Sequence, residues 1–309
     1  MKKLISLLFL LTTILNVFAL KPEEISSETE KAISGNSFSQ YRLAWHYFRN
    51  DNYPETMKWC EKLLSNNNAT EKEKGECCYM AGIICVNGGP GVIVSRDKGI
   101  AHFKKGVEYK NSDCADCMAQ LFEKNNKYQD LAKAFIWYEK CAELGDYKAA
   151  WLVAKQYEDN SGISYHSSVT FPEVSTDYAK AIRNYEFYLD NMPKYRPNPS
   201  NQYQYLDKID PVTSIKVADA YFEGAQNVVK DYGKAVKYYE LCINGIDENI
   251  KLINDECMAS DYKISEALWR LASCYRFGRG VGKNELKARK LIKRSADMGY
   301  QKAIDFMNR

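Results

Sequence analysis

The chain has 309 residues, of which 27% are charged and 45% hydrophobic, and its formal net charge is +3. These proportions are typical of a soluble globular chain. The net charge is too small and too dispersed to indicate nucleic acid as a partner, because no stripe of lysine and arginine exceeds what solvated helix faces need.

Residues 1–19 have the features of a secretory signal peptide. Two lysines at positions 2 and 3 precede an apolar run over 4–18, and Ala19 completes a small-residue cleavage site. An uncleaved membrane anchor is the alternative, but the run is near the short limit for spanning a bilayer. We therefore expect a mature chain that begins near Leu20, is secreted or periplasmic, and has no stable membrane insertion after cleavage.

After a polar capping helix at residues 20–36, one pattern of two helices recurs about six times up to the C-terminus at residue 309. In the first helix of each copy, helix A, a small residue recurs at Ala44, Gly82, Ala119, Ala154, Ala218 and Ala272. In the second, helix B, the first position always holds a favoured capping residue, namely Asn52, Ser95, Asp130, Asp177, Asp231 or Asn284. Because a lone helix pair cannot bury its apolar face, we predict that the pairs stack, with the Trp and Tyr columns in the core.

Three inserts interrupt the repeats, at 159–176, 192–211 and 247–263, and the last is expected to hold a short helix. Long irregular segments in a compact protein are either functional or disordered. The first two inserts and the exposed face of helix A are therefore equally good places to seek a ligand. The candidate partner-binding residues are Asp116, Lys155, His166, Tyr195, Tyr203 and Tyr205.

These columns resemble the Sel-1-like repeat family, a relative of the tetratricopeptide repeat. The best copies are residues 267–275 (ALWRLASCY) with 278–281 (GRGV), and the Lys-Ala at 133–134 with the Trp-Tyr at 137–138. The Gly-x-Gly-Val motif is kept only in copies two and six, and copies one and four fit less well. The resemblance implies an all-α fold, a right-handed α-solenoid of about six antiparallel helix pairs, and the secreted, cysteine-rich bacterial branch of the family is the most similar.

The function that this resemblance implies is a non-enzymatic scaffold for a protein or peptide partner, bound on a concave surface lined by helix A. Some cysteine-rich members are described as β-lactamases or penicillin binders, so a hydrolase is the alternative. A serine acylation site would combine S-x-x-K with S-D-N and K-T-G. Only the first motif occurs, at 95–98 and 260–263, and Ser95 is already explained as a helix cap. We expect no catalytic, cofactor-binding or metal-binding residues.

The ten cysteines of an exported chain are more typical of disulfides than of metal ligands. The family's usual bridge joins a cysteine late in helix B to one eight residues on, and here that spacing is broken because Cys141 is followed at that distance by Ala149. Antiparallel helices suggest other pairs: Cys60 with Cys77 or Cys78, Cys114 or Cys117 with Cys141, and Cys242 with Cys257, leaving Cys85 and Cys274 as buried thiols. A redox C-x-x-C at 114–117 and a zinc site of four thiolates (Cys77, Cys78, Cys114 and Cys117) are minor alternatives.

Overall fold

The structure, a computed structural model, describes residues 20–124, 129–192, 210–225, 227–249 and 261–309. The predicted signal peptide lies outside the described residues, and so do Tyr195, Tyr203, Tyr205, Cys257 and Ser260. The described part forms fourteen helices and contains no strand. This confirms the all-α prediction.

Twelve of these helices form six packed pairs, each made of a helix A and the helix B that follows it. The chain divides into two compact units, at residues 1–146 and 147–309. The pairs of the first unit are α2 (Ser37–Arg49) with α3 (Tyr53–Leu64), α4 (Glu71–Asn87) with α5 (Arg96–Glu108), and α6 (Ser112–Glu123) with α7 (Leu131–Glu143). Those of the second are α8 (Tyr147–Asp159) with α9 (Tyr178–Asn191), α10 (Pro211–Glu223) with α11 (Tyr232–Asn249), and α12 (Asp261–Phe277) with α13 (Glu285–Asp297).

A further helix packs at each end of this series. Helix α1 (Pro22–Ile33) packs on α2, and Leu20 just before it is buried in the first core cluster with Ala32. Helix α14 (Gln301–Met307) packs on α13 and buries Ala303. The described ends of the 247–263 insert belong to α11 and α12. Over the described ranges, every helix is too short or too polar to cross a bilayer.

The predicted caps start five of the six B helices. In each of these, the side chain at the N-cap accepts a hydrogen bond from the backbone N–H three residues later, as in Asp177 from Lys180 at 2.9 Å and Asn284 from Lys287 at 2.9 Å. Such a cap is worth about 1 kcal/mol of helix stability. Ser95 is the exception, since it occupies the N-cap position of α5 while its side chain makes no capping hydrogen bond. The structure therefore confirms Ser95 as the N-cap residue of α5, but without the side-chain hydrogen bond that the other five caps make.

The small residues of helix A are all buried, and so is the mostly small column four residues after each helix-B cap, namely Thr56, Gly99, Ala134, Ala181, Ala235 and Ala288. Gly82 shows how close the contact between paired helices is, because a Cβ added there would lie 2.3 Å from Cε1 of Phe103. The large aromatic side chains of helix B fill the space beside them. Tyr138, Tyr185, Tyr238 and Tyr239 are fully buried, which confirms the core position of the helix-B tyrosines. The tryptophans of the columns at 137, 151 and 269 are only partly buried.

The turn between helices A and B explains the Gly-x-Gly-Val motif. Its second glycine has a positive φ in both copies, +75° at Gly91 and +68° at Gly280. A Cβ on Gly280 would lie 2.2 Å from the carbonyl carbon of Tyr232, and one on Gly91 would lie 2.8 Å from Cγ of Pro54. Tyr232 and Pro54 both stand in the first turn of the preceding helix B. The glycine is therefore required where the turn lies directly on the previous repeat.

Candidate functional site

The candidate functional site consists of three surfaces: the face of helix A, the 159–176 insert and the clefts between successive repeats. Within the described ranges, no group of three or more His, Cys, Asp and Glu side chains could hold a metal ion. At the S-x-x-K sequence of residues 95–98, Lys98 is exposed on the first turn of α5.

In the first unit, the face of helix A carries an acidic cluster around the predicted residue Asp116. The side chain of Asp116 accepts a hydrogen bond from Gln120 at 2.9 Å. Partial desolvation of the carboxylate first, and then the charges of Asp116 and Asp146, raise the pKa of Asp113, although the residue as a whole is exposed. Burial and the charge of Asp113 likewise raise the pKa of Glu76 on α4. The negative charges on α4 and α6 thus repel one another in a partly desolvated setting.

In the second unit, the face of helix A is instead held by ion pairs between successive A helices. Lys155, a predicted binding residue, lies 3.8 Å from Glu158 and 3.6 Å from Asp159. Glu158 also accepts a hydrogen bond from Lys216 of α10 at 2.7 Å. The charges on this part of the face are therefore ordered, and Lys155 belongs to a network.

A second group of ion pairs on the helix-A face is centred on Arg270 of α12. Its guanidinium lies 3.1 Å from Asp219 and 2.7 Å from Glu223 on α10, and 2.8 Å from Glu266 on its own helix. The Asp219 carboxylate also accepts the hydroxyl hydrogen bond of Tyr239. One arginine therefore joins two A helices across neighbouring repeats.

The insert at 159–176 is a folded loop fastened to α8 by the buried side chain of Gln156. The Gln156 amide donates to Pro172 O at 2.9 Å and accepts from Gly162 N at 3.2 Å. Phe171 is buried below the loop. His166 lies exposed at the loop's tip, with its ring 4.4 Å from that of Tyr165. The structure thus places His166 and Lys155 on one helix pair, whereas the predicted tyrosines of the 192–211 insert lie outside the described residues.

Sequence reasoning missed a bridge that recurs between helix B of one repeat and the pair that follows. Lys234 at the start of α11 lies 2.9 Å from Glu186 of α9, which also accepts from the Tyr221 hydroxyl at 2.7 Å. One repeat later, Lys287 lies 2.7 Å from Glu240, and the hydroxyl of Tyr275 donates to Glu240 as that of Tyr221 does to Glu186. The signal was present in the aligned columns, because each lysine stands three residues after a predicted cap.

Two clefts flank these bridges. One, of about 410 Å³, lies between α9 and the α10–α11 turn, and Tyr221, Glu186 and Lys234 form part of its wall. The other, of about 240 Å³, lies between α11 and α13 beside Lys287 and Glu240. Both therefore open between the B helices of successive repeats.

The described cysteines are free thiols, and none of them forms a disulfide in the structure. Cys60 and Cys77 do lie in contact, since a hydrogen bond between their side chains is the main cause that raises the pKa of Cys77. Burial raises the pKa of Cys117 to about 12, which argues against a redox C-x-x-C because that chemistry needs a stabilised thiolate. Cys85 and Cys274 are buried, as expected. The proposed disulfide pairs stay predictions.

Comparison with known proteins gives the following matches. The Sel1 repeat model matches residues 37–67, 75–108, 124–146, 214–241 and 265–300, leaving the α8–α9 pair unmatched. No curated protein matches the chain. A protective antigen present in uropathogenic Escherichia coli strains, with an SLR fold, is similar at 19% identity and a TM-score of 0.40; the match covers 90% of this chain but only 65% of the antigen. A Sel1 repeat protein from Oxalobacter formigenes is similar at 19% identity and a TM-score of 0.38, over 92% of each chain.

Proposed function

Because the chain belongs to the Sel1 repeat family, whose repeats are commonly protein-interaction scaffolds, we propose that it binds a protein or peptide partner through helix A of successive repeats and the 159–176 insert. The observation that carries this proposal is the ordered ion-pair network on the helix-A face of the second unit. Lys216 and Arg270 each fix carboxylates of a neighbouring A helix. Side chains that are already ordered lose less entropy when a partner binds.

The proposal is tested by photo-crosslinking from single positions. A photoreactive amino acid replaces Asp116 or Glu223 on helix A and, as matched controls, Lys104 or Arg289 on helix B. All four side chains reach solvent. The helix-A variants should crosslink one and the same protein in the native compartment, and the helix-B variants should not. Equal crosslinking from both helices would contradict the assignment of the face.

We also propose that the chain is exported and cleaved before Leu20. The composition of residues 1–19 supports this proposal. N-terminal sequencing of the protein recovered from the periplasm or culture medium tests it, with Leu20 as the expected first residue. Full-length protein in the cytosol would be the contrary result.

Catalysis remains the alternative function, and no observation favours it. Purified mature protein tests it directly, because nitrocefin turnover that is lost on replacing Ser95 or Ser260 would establish a hydrolase. We expect no turnover above the rate of buffer alone.

A further inference from the structure

The larger cleft lies where the α10–α11 turn faces the preceding helix B, and the equivalent place at the α12–α13 turn is closed. At the α12–α13 turn, Gly280 lies directly on the backbone of Tyr232 and Gly233, and no space remains between them. At the α10–α11 turn the equivalent residues are Asn227 and Ala179, and they line opposite sides of a cleft of about 410 Å³. The change from Gly-x-Gly-Val in this copy therefore coincides with an opening.

The described residues of this turn are held by backbone hydrogen bonds. Asn227 keeps the left-handed conformation of the motif's second glycine, with φ at +71°. Val228 N donates to Ala225 O at 2.8 Å, and Asp231 N donates to Tyr221 O at 2.9 Å. Asparagine adopts this conformation more readily than most residues with a Cβ, so this position keeps its backbone conformation without the glycine.

The lining of this cleft combines an apolar floor with positive charge. Ile182 and Val228 supply the floor, and Val229 of the turn is 82% exposed beside it. Lys234 is already paired with Glu186. Arg183 and Lys230, by contrast, form no ion pair or hydrogen bond with any described residue. The nearby Asp190 does not compensate them, because it pairs with Lys237 of α11 at 2.7 Å.

We propose that this cleft binds an acidic peptide segment of a protein partner. An apolar side chain of the segment packs on Ile182, Val228 and Val229, and a neighbouring carboxylate pairs with Arg183 and Lys230. Charge complementarity favours a carboxylate, because the only carboxylates in the lining, Glu186 and Asp231, are occupied by Lys234 and by the cap of α11. The site lies between B helices, so it goes beyond the binding face proposed above.

Selection from a phage-displayed library of random peptides tests the proposal, with the full mature chain as target. The variants are Arg183→Glu/Lys230→Glu and, as a control with the same kind of charge change, Lys302→Glu on α14. All three side chains are exposed, so the variants should have the same melting temperature as the wild type. Circular dichroism checks this.

Enriched peptides should carry Asp or Glu next to an apolar residue. Their affinity should fall about tenfold or more in the double variant, stay within about twofold in Lys302→Glu, and weaken as salt is raised. No enrichment, enrichment without carboxylates, or affinity that survives the double variant would overturn the proposal. None of these outcomes bears on crosslinking from helix A, so the two proposals can fail separately.

Discussion

Replacing Gly280 by alanine tests whether the Gly-x-Gly-Val turn is needed because it lies on the preceding repeat. The added Cβ would lie 2.2 Å from the carbonyl carbon of Tyr232 and 2.3 Å from the backbone N of Gly233. Backbone cannot move aside as a side chain can, so overpacking should cost about 1–3 kcal/mol. The left-handed conformation adds about 1–2 kcal/mol for a residue with a Cβ. We therefore expect a loss of about 2–5 kcal/mol in the free energy of unfolding.

Gly282→Ala is the matched control in the same turn. Its φ is not positive and a Cβ there meets nothing within 4 Å, so its stability should stay within about 0.5 kcal/mol of the wild type. Urea unfolding followed by circular dichroism measures both variants. Hydrogen exchange shows whether the loss is confined to α11–α13, since repeat proteins can unfold in parts. Equal stability of the two variants would refute the packing explanation of the motif.

Three further predictions concern the acidic cluster, the cysteines and the insert. The pKa of Glu76 is raised in the folded state, so its ionisation opposes folding. Glu76→Gln should therefore have a higher free energy of unfolding than the wild type, measured by urea unfolding at pH 7.5. This difference should disappear below the unfolded pKa of about 4.3, where Glu76 is protonated in both states. In a glutathione redox buffer, Cys60 and Cys77 should form a bridge worth about 3 kcal/mol, visible as a crosslinked peptide by mass spectrometry under non-reducing conditions; only unlinked peptides would count against the pair. Gln156→Ala removes the hydrogen bonds that hold the insert. In a hydrogen-exchange measurement, the backbone amides of 160–174 should exchange faster than in the wild type, while those of α8 stay protected. Unchanged exchange in the insert would contradict this anchoring role.

Most of the helix pairs could be predicted from the sequence because their signals are local. A capping residue acts on an N–H three positions away, and a small residue marks a contact on its own helix face. The small residues Ala154 and Ala181 therefore located α8 and α9, although no family segment matches that pair. Ser95 shows where this reasoning fails. Its residue type fits a cap, but whether the hydroxyl turns toward the backbone depends on the preceding turn, which the pattern does not describe.

The bridges between repeats could not be predicted in the same way because each joins three helices. Lys234 was visible only as a residue after a cap, and nothing nearby in sequence points to Glu186, which lies 48 residues earlier. The ion pairs of helix A raise the same difficulty. Lys155 is a predicted binding residue, and the structure shows it within reach of Glu158, which also binds Lys216 of the next repeat. Residue type gives the charge, and only the stacking of repeats decides whether that charge is compensated.

Asn227 extends this reasoning to the motif itself. By sequence, copy five lacks Gly-x-Gly-Val, which would suggest a different turn. The backbone nevertheless keeps the left-handed position, because asparagine tolerates positive φ better than most residues with a Cβ. What changes is the contact: Gly280 needs its glycine for close approach to Tyr232, whereas Asn227 faces Ala179 across open space. A repeat can thus lose its consensus glycine and keep the backbone conformation of that position, and the proposed peptide site lies at this same turn.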